Sequence, residues 1–161
     1  MMQLLTYPPA FGLFAPSPFC VKAAYLLNMS GVAWEREDTP DPRKAPFGKL
    51  PVLRDQGRLI ADSDRIQDYL TSKGTDFWAG LSDLDRANAR AFIRMSEEHI
   101  YFHLLLDRWG NDDIWPGIRD LYFESMPAGI RHIVAATVRK NLLKGLHYQG
   151  LGRLSEAQRL E

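Results

Sequence analysis

Pro16-Ser17-Pro18-Phe19-Cys20 sets a hydroxyl and a thiol three residues apart, with a proline directly after the hydroxyl. This is the spacing of a Cys-x-x-Cys redox pair whose first sulfur has been exchanged for oxygen. Ser17 therefore cannot carry out disulfide exchange. At a helix N-terminus its hydroxyl can instead donate a hydrogen bond to a bound anion, and the helix dipole acts in the same direction. If that anion is a thiolate, it is favoured over the thiol. A free thiol titrates near about 8.5, and lowering it by about two units is worth about 2.7 kcal/mol. The nucleophile would then belong to the ligand. Cys20 is the chain's single cysteine, which rules out an internal disulfide. It reads as a small core residue or as a thiol open to mixed disulfides. Tyr7 offers a second hydroxyl at the end of the first strand, with Pro8 and Pro9 behind it.

Other reactive side chains form weaker patterns. His99, His103, His132 and His147 have no metal-ligand spacing; the first two share a helix face without a glutamate-backed motif, so no metal is expected. Residues 128–154 hold Arg131, Arg139, Lys140, Lys144 and Arg153 and no acid, while residues 83–124 hold nine acids against five bases. Such runs suit a solvated helix face or an anionic acceptor. Tyr101, Phe102, Trp109 and Trp115 could line an acceptor pocket or a core.

The elements that must position these groups change character near residue 75. Gln3–Tyr7 reads as a strand stopped by Pro8-Pro9, and a loop rich in Gly, Pro and Ala follows it to Pro16. Ser17 then caps a helix with Pro18 in its first turn, and Phe19, Ala23, Leu26 and Leu27 lie along one face before Gly31. Val32–Arg36 alternates as a second strand, and Pro40, Pro42, Pro46 and Gly48 punctuate the next loop. Leu50–Arg54 and Leu59–Ala61 form a hairpin around Gln56-Gly57, after which Ser63 caps a helix burying Ile66, Tyr69 and Leu70 and ending at Gly74.

Beyond Gly80 the pattern is wholly helical. Ser82 and Asp85 open a long helix with Leu84, Ala87, Ala91, Met95, Phe102, Leu105 and Trp109 as one stripe. A loop over 111–117, a short helix over 118–125 and a longer one over 128–147 come next, the last with Ile130, Ile133, Val134, Val138 and Leu142 as its apolar face. Ser155-Glu156-Ala157-Gln158 opens a further helix about two turns from the last residue, so an interrupted helical domain is expected.

With 161 residues, 45% of them hydrophobic, the chain has apolar material for one domain or two small ones. Twenty basic and twenty acidic side chains cancel, which removes the electrostatic case for nucleic acid or an anionic membrane as main partner. No apolar run approaches the roughly 20 residues of a membrane span, and no basic-then-apolar leader opens the chain, so a cytoplasmic protein is expected.

Three blocks in order, S17-P18-F19-C20, P46-F47-G48-K49-L50-P51-V52-L53 and L59-I60-A61-D62-S63-D64-R65-I66, resemble the thioredoxin-fold domain of the glutathione transferase superfamily. Gly12 with its Pro8–Pro16 loop, the Glu98-His99 pair and Q149-G150-L151-G152-R153 are closest to the failed-axon-connections branch, which is related to metaxins. The resemblance implies an α/β domain over 1–76, with order β-α-β then β-β-α, and an all-α domain over 82–161 that lacks its final part. It implies a cis peptide bond at Pro51, backbone pairing of Leu50 with the cysteinyl part of glutathione, and γ-glutamyl contacts from Asp62 and Ser63. Phe19, inside the first block, joins that glutathione-binding set, and Ser17 takes the catalytic place.

By the same resemblance, serine at this position favours conjugation over reduction, and a homodimer is expected. Three functions stay open: a serine-type glutathione transferase acting on a small electrophile, a non-catalytic metaxin-like interaction module, and a glutathione-dependent reductase using Cys20.

Overall fold

The computed structural model describes residues 1–124 and 126–159. It divides into two compact units, Met1–Gly80 and Leu81–Glu161. In the first, β1 (Met2–Thr6) leads through a loop to α1 (Pro18–Ser30), then β2 (Trp34–Asp38), β3 (Val52–Asp55), β4 (Arg58–Ala61) and α2 (Ser63–Ser72). The four strands form one sheet in the order β2-β1-β3-β4. β1 runs parallel to β2 and antiparallel to β3, and β4 runs antiparallel to β3. This is a thioredoxin-like sheet with helices, followed by a helical region.

The ladder explains the core. Leu4 lies opposite Leu53 and Leu53 opposite Ile60, so one row crosses three strands on one face. It packs with Ala23, Leu26 and Leu27 of α1 and with Ile66 and Leu70 of α2. The next row, Leu5, Val52 and Ala61, points to the other face. Gln56 and Gly57 join the hairpin with φ of 49° and 80°, the positive angles a tight two-residue turn needs.

Local expectations shift in six places. β2 starts at Trp34, two residues later than the alternation suggests, because Trp34 pairs with Met2. On α1 the buried face runs through Cys20, Ala23, Ala24, Leu26 and Leu27, and Phe19 is only half-buried. The N-cap of α2 is Asp62 and not Ser63: Asp62 accepts from the Asp64 amide at 2.9 Å, and Ser63 is the first helical residue. Asp62 holds φ at 80° and ψ at 139°, a backbone region that residues with a Cβ rarely occupy.

The fourth shift lies in the second unit, which comprises α3 (Asp83–Met95), α4 (Tyr101–Gly110), α5 (Trp115–Phe123), α6 (Ala128–Gln149) and α7 (Glu156–Arg159). Ser82 and Asp85 form a reciprocal capping box at the start of α3. A π-helical turn over Ser96–Ile100 joins α3 to α4, so the expected stripe breaks: Leu84 and Met95 are 70% and 47% exposed, whereas Trp109 is buried. α5 begins at Trp115, three residues early, because Pro116 suits a first turn; its expected end at Ser125 lies outside the described residues.

The packed side of α6 matches the expected one only at Val134 and Leu142, which pack against the core of this unit. Ala135 and Leu146 are buried while Ile130, Ile133 and Val138 are exposed, since α6 is apolar on two sides and the small Ala135 joins Trp109, Ile118 and Phe123 in the core. Ser155 and Gln158 exchange bonds of 2.9 and 3.4 Å ahead of α7. Among the described residues no helix is long and apolar enough to cross a membrane.

Leu27 has no exposure, so Leu27→Ala should destabilise the first unit by about 2–5 kcal/mol in urea unfolding. Asp62→Ala should cost about 0.5–2 kcal/mol and Asp62→Asn much less, because asparagine keeps the capping acceptor. Equal losses in the two variants would show that the carboxylate charge, not the acceptor, holds the helix start.

Candidate functional site

Strand direction decides where the reactive residues meet. The C-terminal ends of β1 and β4 and the start of β3 lie at one end of the sheet. Each helix follows a strand that ends there, so α1 and α2 present their N-termini on that side. Three contacts close the arrangement. The Asp62 amide donates to the Pro51 carbonyl at 3.3 Å. Cys20 of α1 packs in one apolar cluster with Ala15, Leu50 and Ala61. Lys22 of α1 forms an ion pair with Asp64 in the first turn of α2.

Ser17 occupies the N-cap position of α1 with extended backbone, φ −92° and ψ 122°. Its carbonyl accepts from the amides of Cys20 and Val21, at 3.1 and 3.2 Å. Its side chain makes no capping bond. The hydroxyl at the positive end of α1 is therefore not consumed by the helix. Cys20, one turn on, has no exposure, and Phe19 beside it is half-buried.

Leu50 and Pro51 are joined by a cis peptide bond and both are buried. They precede β3, whose ladder begins at Val52. Asp62 is exposed, with one carboxylate oxygen occupied by the cap, and Ser63 behind it is 2% exposed. Ser17, Leu50, Pro51, Asp62 and Ser63 thus belong to segments converging on one end of the sheet. Tyr7 is half-buried on the same side, and its carbonyl accepts from Arg36 at 2.7 Å.

Two features were beyond the reach of sequence reasoning. The Lys22–Asp64 pair joins residues 42 apart, and no local pattern marks either side chain. Arg36 reaches back to the loop before α1, a contact that only the β1–β2 pairing creates. An open groove of about 500 Å³ lies elsewhere, along β4 and α2, lined in part by Phe47, Arg58, Arg65 and Tyr69. It includes none of the expected site residues.

Marked electrostatic shifts fall on residues outside the expected site set. Hydrogen bonding from Arg43 holds the Asp41 carboxyl down at about 2, and burial raises the Tyr101 phenol. His99 and His103 meet edge to face at 4.9 Å, and no group of three or more metal-ligating side chains forms among the described residues.

Comparison with known proteins agrees with this architecture. A family model described as the glutathione S-transferase N-terminal domain matches residues 18–115. The isoprene-epoxide–glutathione S-transferase of Rhodococcus sp. (strain AD45) is 32% identical over 168 aligned positions, covering 97% of this chain and 68% of that protein. Failed axon connections of Drosophila melanogaster is 33% identical over 85 residues, 52% of this chain and 20% of that protein.

Among solved structures, glutaredoxin 2 of Salmonella typhimurium in complex with glutathione is similar with a TM-score of 0.47 at 18% identity, over 92% of this chain and 69% of that one. The glutathione S-transferase of Ascaris lumbricoides gives 0.44 at 20% identity, with the same coverages. On the strength of the domain match and of a 32%-identical relative aligned over 97% of this chain, the chain belongs to the glutathione S-transferase family.

Proposed function

We propose that the chain is a serine-type glutathione transferase: it binds glutathione at the sheet end and presents its thiol, as the thiolate, to a small electrophile. The observation that carries this reading is Ser17, which opens α1 with no capping bond from its side chain. A hydroxyl held at a helix N-terminus favours a thiolate over a thiol, because both the hydrogen bond and the dipole act on the charged form.

Chemistry and the family resemblance support the remaining roles. The Leu50 backbone, ahead of the β3 ladder, pairs with the cysteinyl unit of glutathione as an added strand would, next to Pro51 and Phe19. Ser63 and the start of α2 take the γ-glutamyl carboxylate. Asp62 keeps one oxygen for its cap and offers the other to the α-amino group, since a carboxylate has acceptor sites for both. Residues 1–76 serve as the glutathione domain, and residues 82–161 form the all-α domain.

The relative named as an isoprene-epoxide transferase makes an epoxide the first electrophile to test. The thiolate sulfur would attack a ring carbon, forming C–S and breaking C–O, and the resulting alkoxide would take a proton from water. Ser17 keeps its own proton throughout. Cys20, with no exposure, is a poor partner for a mixed disulfide, which weighs against the reductase reading. A cytoplasmic homodimer is part of the proposal, and gel filtration with light scattering tests the assembly.

Calorimetric titration of glutathione should show binding that weakens about tenfold or more in Ser63→Ala. Ser17→Ala should lower kcat for an epoxide at neutral pH by about ten- to a hundredfold while leaving glutathione affinity within about twofold. Equal losses in rate and affinity would reduce Ser17 to a structural role. A folded chain that binds no glutathione would instead support a non-catalytic interaction module.

A further inference from the structure

The loop between β1 and α1 delivers Ser17 to the sheet end, and it is folded on itself. Ala10 and Leu13 exchange backbone hydrogen bonds of 3.3 and 2.9 Å around Phe11 and Gly12, whose φ angles are 56° and 71°. One side chain of β2 holds both feet of this loop. Arg36 donates from one terminal nitrogen to the Tyr7 carbonyl at 2.7 Å and from the other to the Phe14 carbonyl at 2.8 Å. Its Nε donates to Asp38 at 2.5 Å. The guanidinium also lies over the Phe14 ring, 4.2 Å from its centroid, and Phe14 meets Trp34 edge to face at 6.3 Å.

This grip bears on Ser17 because the serine has no capping bond of its own to orient it. Its backbone is held on one side by the first turn of α1 and on the other by the chain that precedes it. Only Ala15 and Pro16 separate Phe14 from Ser17, and both are buried. Three residues span at most about 10 Å, too little slack to absorb a shift at Phe14. A displacement of about 1 Å at a reacting group can cost about a hundredfold in rate.

We propose that Arg36 is a positioning residue for the transfer: by bridging the Tyr7 and Phe14 carbonyls it fixes the loop and, through it, the Ser17 hydroxyl. The proposal rests on the reading of Ser17 as the donor to the thiolate. The effect is one of geometry, because Asp38 already pairs the charge of Arg36. A planar guanidinium can bridge two carbonyls while stacking on a ring; a lysine ammonium, a single point on a flexible stem, cannot hold both in one plane.

The test uses the full chain, glutathione and an epoxide, comparing wild type with R36K, R36Q, S17A and the S17A/R36K double variant. R36K preserves the charge and should keep the fold where R36Q fails to. The bound thiol is titrated by its thiolate ultraviolet absorbance, and kcat and KM are followed against pH.

In R36K the thiolate midpoint should rise by about one unit and kcat at neutral pH should fall about tenfold, with KM for glutathione changed less than about twofold. Adding S17A to R36K should raise the midpoint no further than S17A alone does. A wild-type midpoint that is lowered but unmoved in R36K overturns this proposal alone, as does a change confined to KM. A wild-type thiol that titrates like free glutathione overturns the Ser17 reading, and this proposal with it.

Discussion

The register of β1 against β3 is the constraint on which the first unit rests. With Leu5 opposite Val52, the row Leu4-Leu53-Ile60 packs on α1 and α2 while Leu5-Val52-Ala61 points to the other face and packs with Ala15, Cys20 and Leu50. A slip of one residue would exchange the two faces and take Leu4, Leu53 and Ile60 off α1 and α2. The same register aligns what lies just beyond the ladder. Pro51 before β3 and Asp62 after β4 come within one backbone hydrogen bond of each other. Hydrophobic pattern assembles that end of the sheet, and the Asp62–Pro51 bond closes it.

Main-chain carbonyls gripped by arginine recur in both units. Arg36 takes those of Tyr7 and Phe14, Arg131 those of Glu124 and Met126, and Arg139 those of Trp109 and Gly110. Each lies at the end of an element or in the connection beyond it, at carbonyls that regular structure leaves unsatisfied. Charge-assisted bonds of this kind are each worth about 1.5–3 kcal/mol. They exceed an exposed ion pair such as Arg119–Asp120, which solvent screens.

What could be read from sequence was what local chemistry determines. Pro18 behind Ser17 marks the start of α1, Gly31 its end, Gln56-Gly57 the hairpin and Ser82 with Asp85 the start of α3. The segments carrying the candidate site were legible for the same reason, as three short blocks in order. The N-cap of α2 was not, because Asp62 and Ser63 are both good caps and only the backbone angles choose between them. The packed side of α6 was hidden by a helix apolar on two sides, where the smallness of Ala135 outweighed the bulk of Ile130 and Ile133. Arg36 was hidden differently: its partners lie 22 and 29 residues away, and nothing local announces them.

The π turn over Ser96–Ile100 leaves the rod from Asp83 to Gly110 continuous while changing its phase. A turn closed by five residues holds about one residue more than an α turn, so everything beyond it is rotated by about 100° relative to an unbroken helix. Leu84 and Met95 then point along a different azimuth from Leu105 and Trp109, although their sequence spacing fits a single stripe. The helix behaves as two amphipathic segments on one axis, and its halves are free to diverge in sequence because they answer to different surroundings.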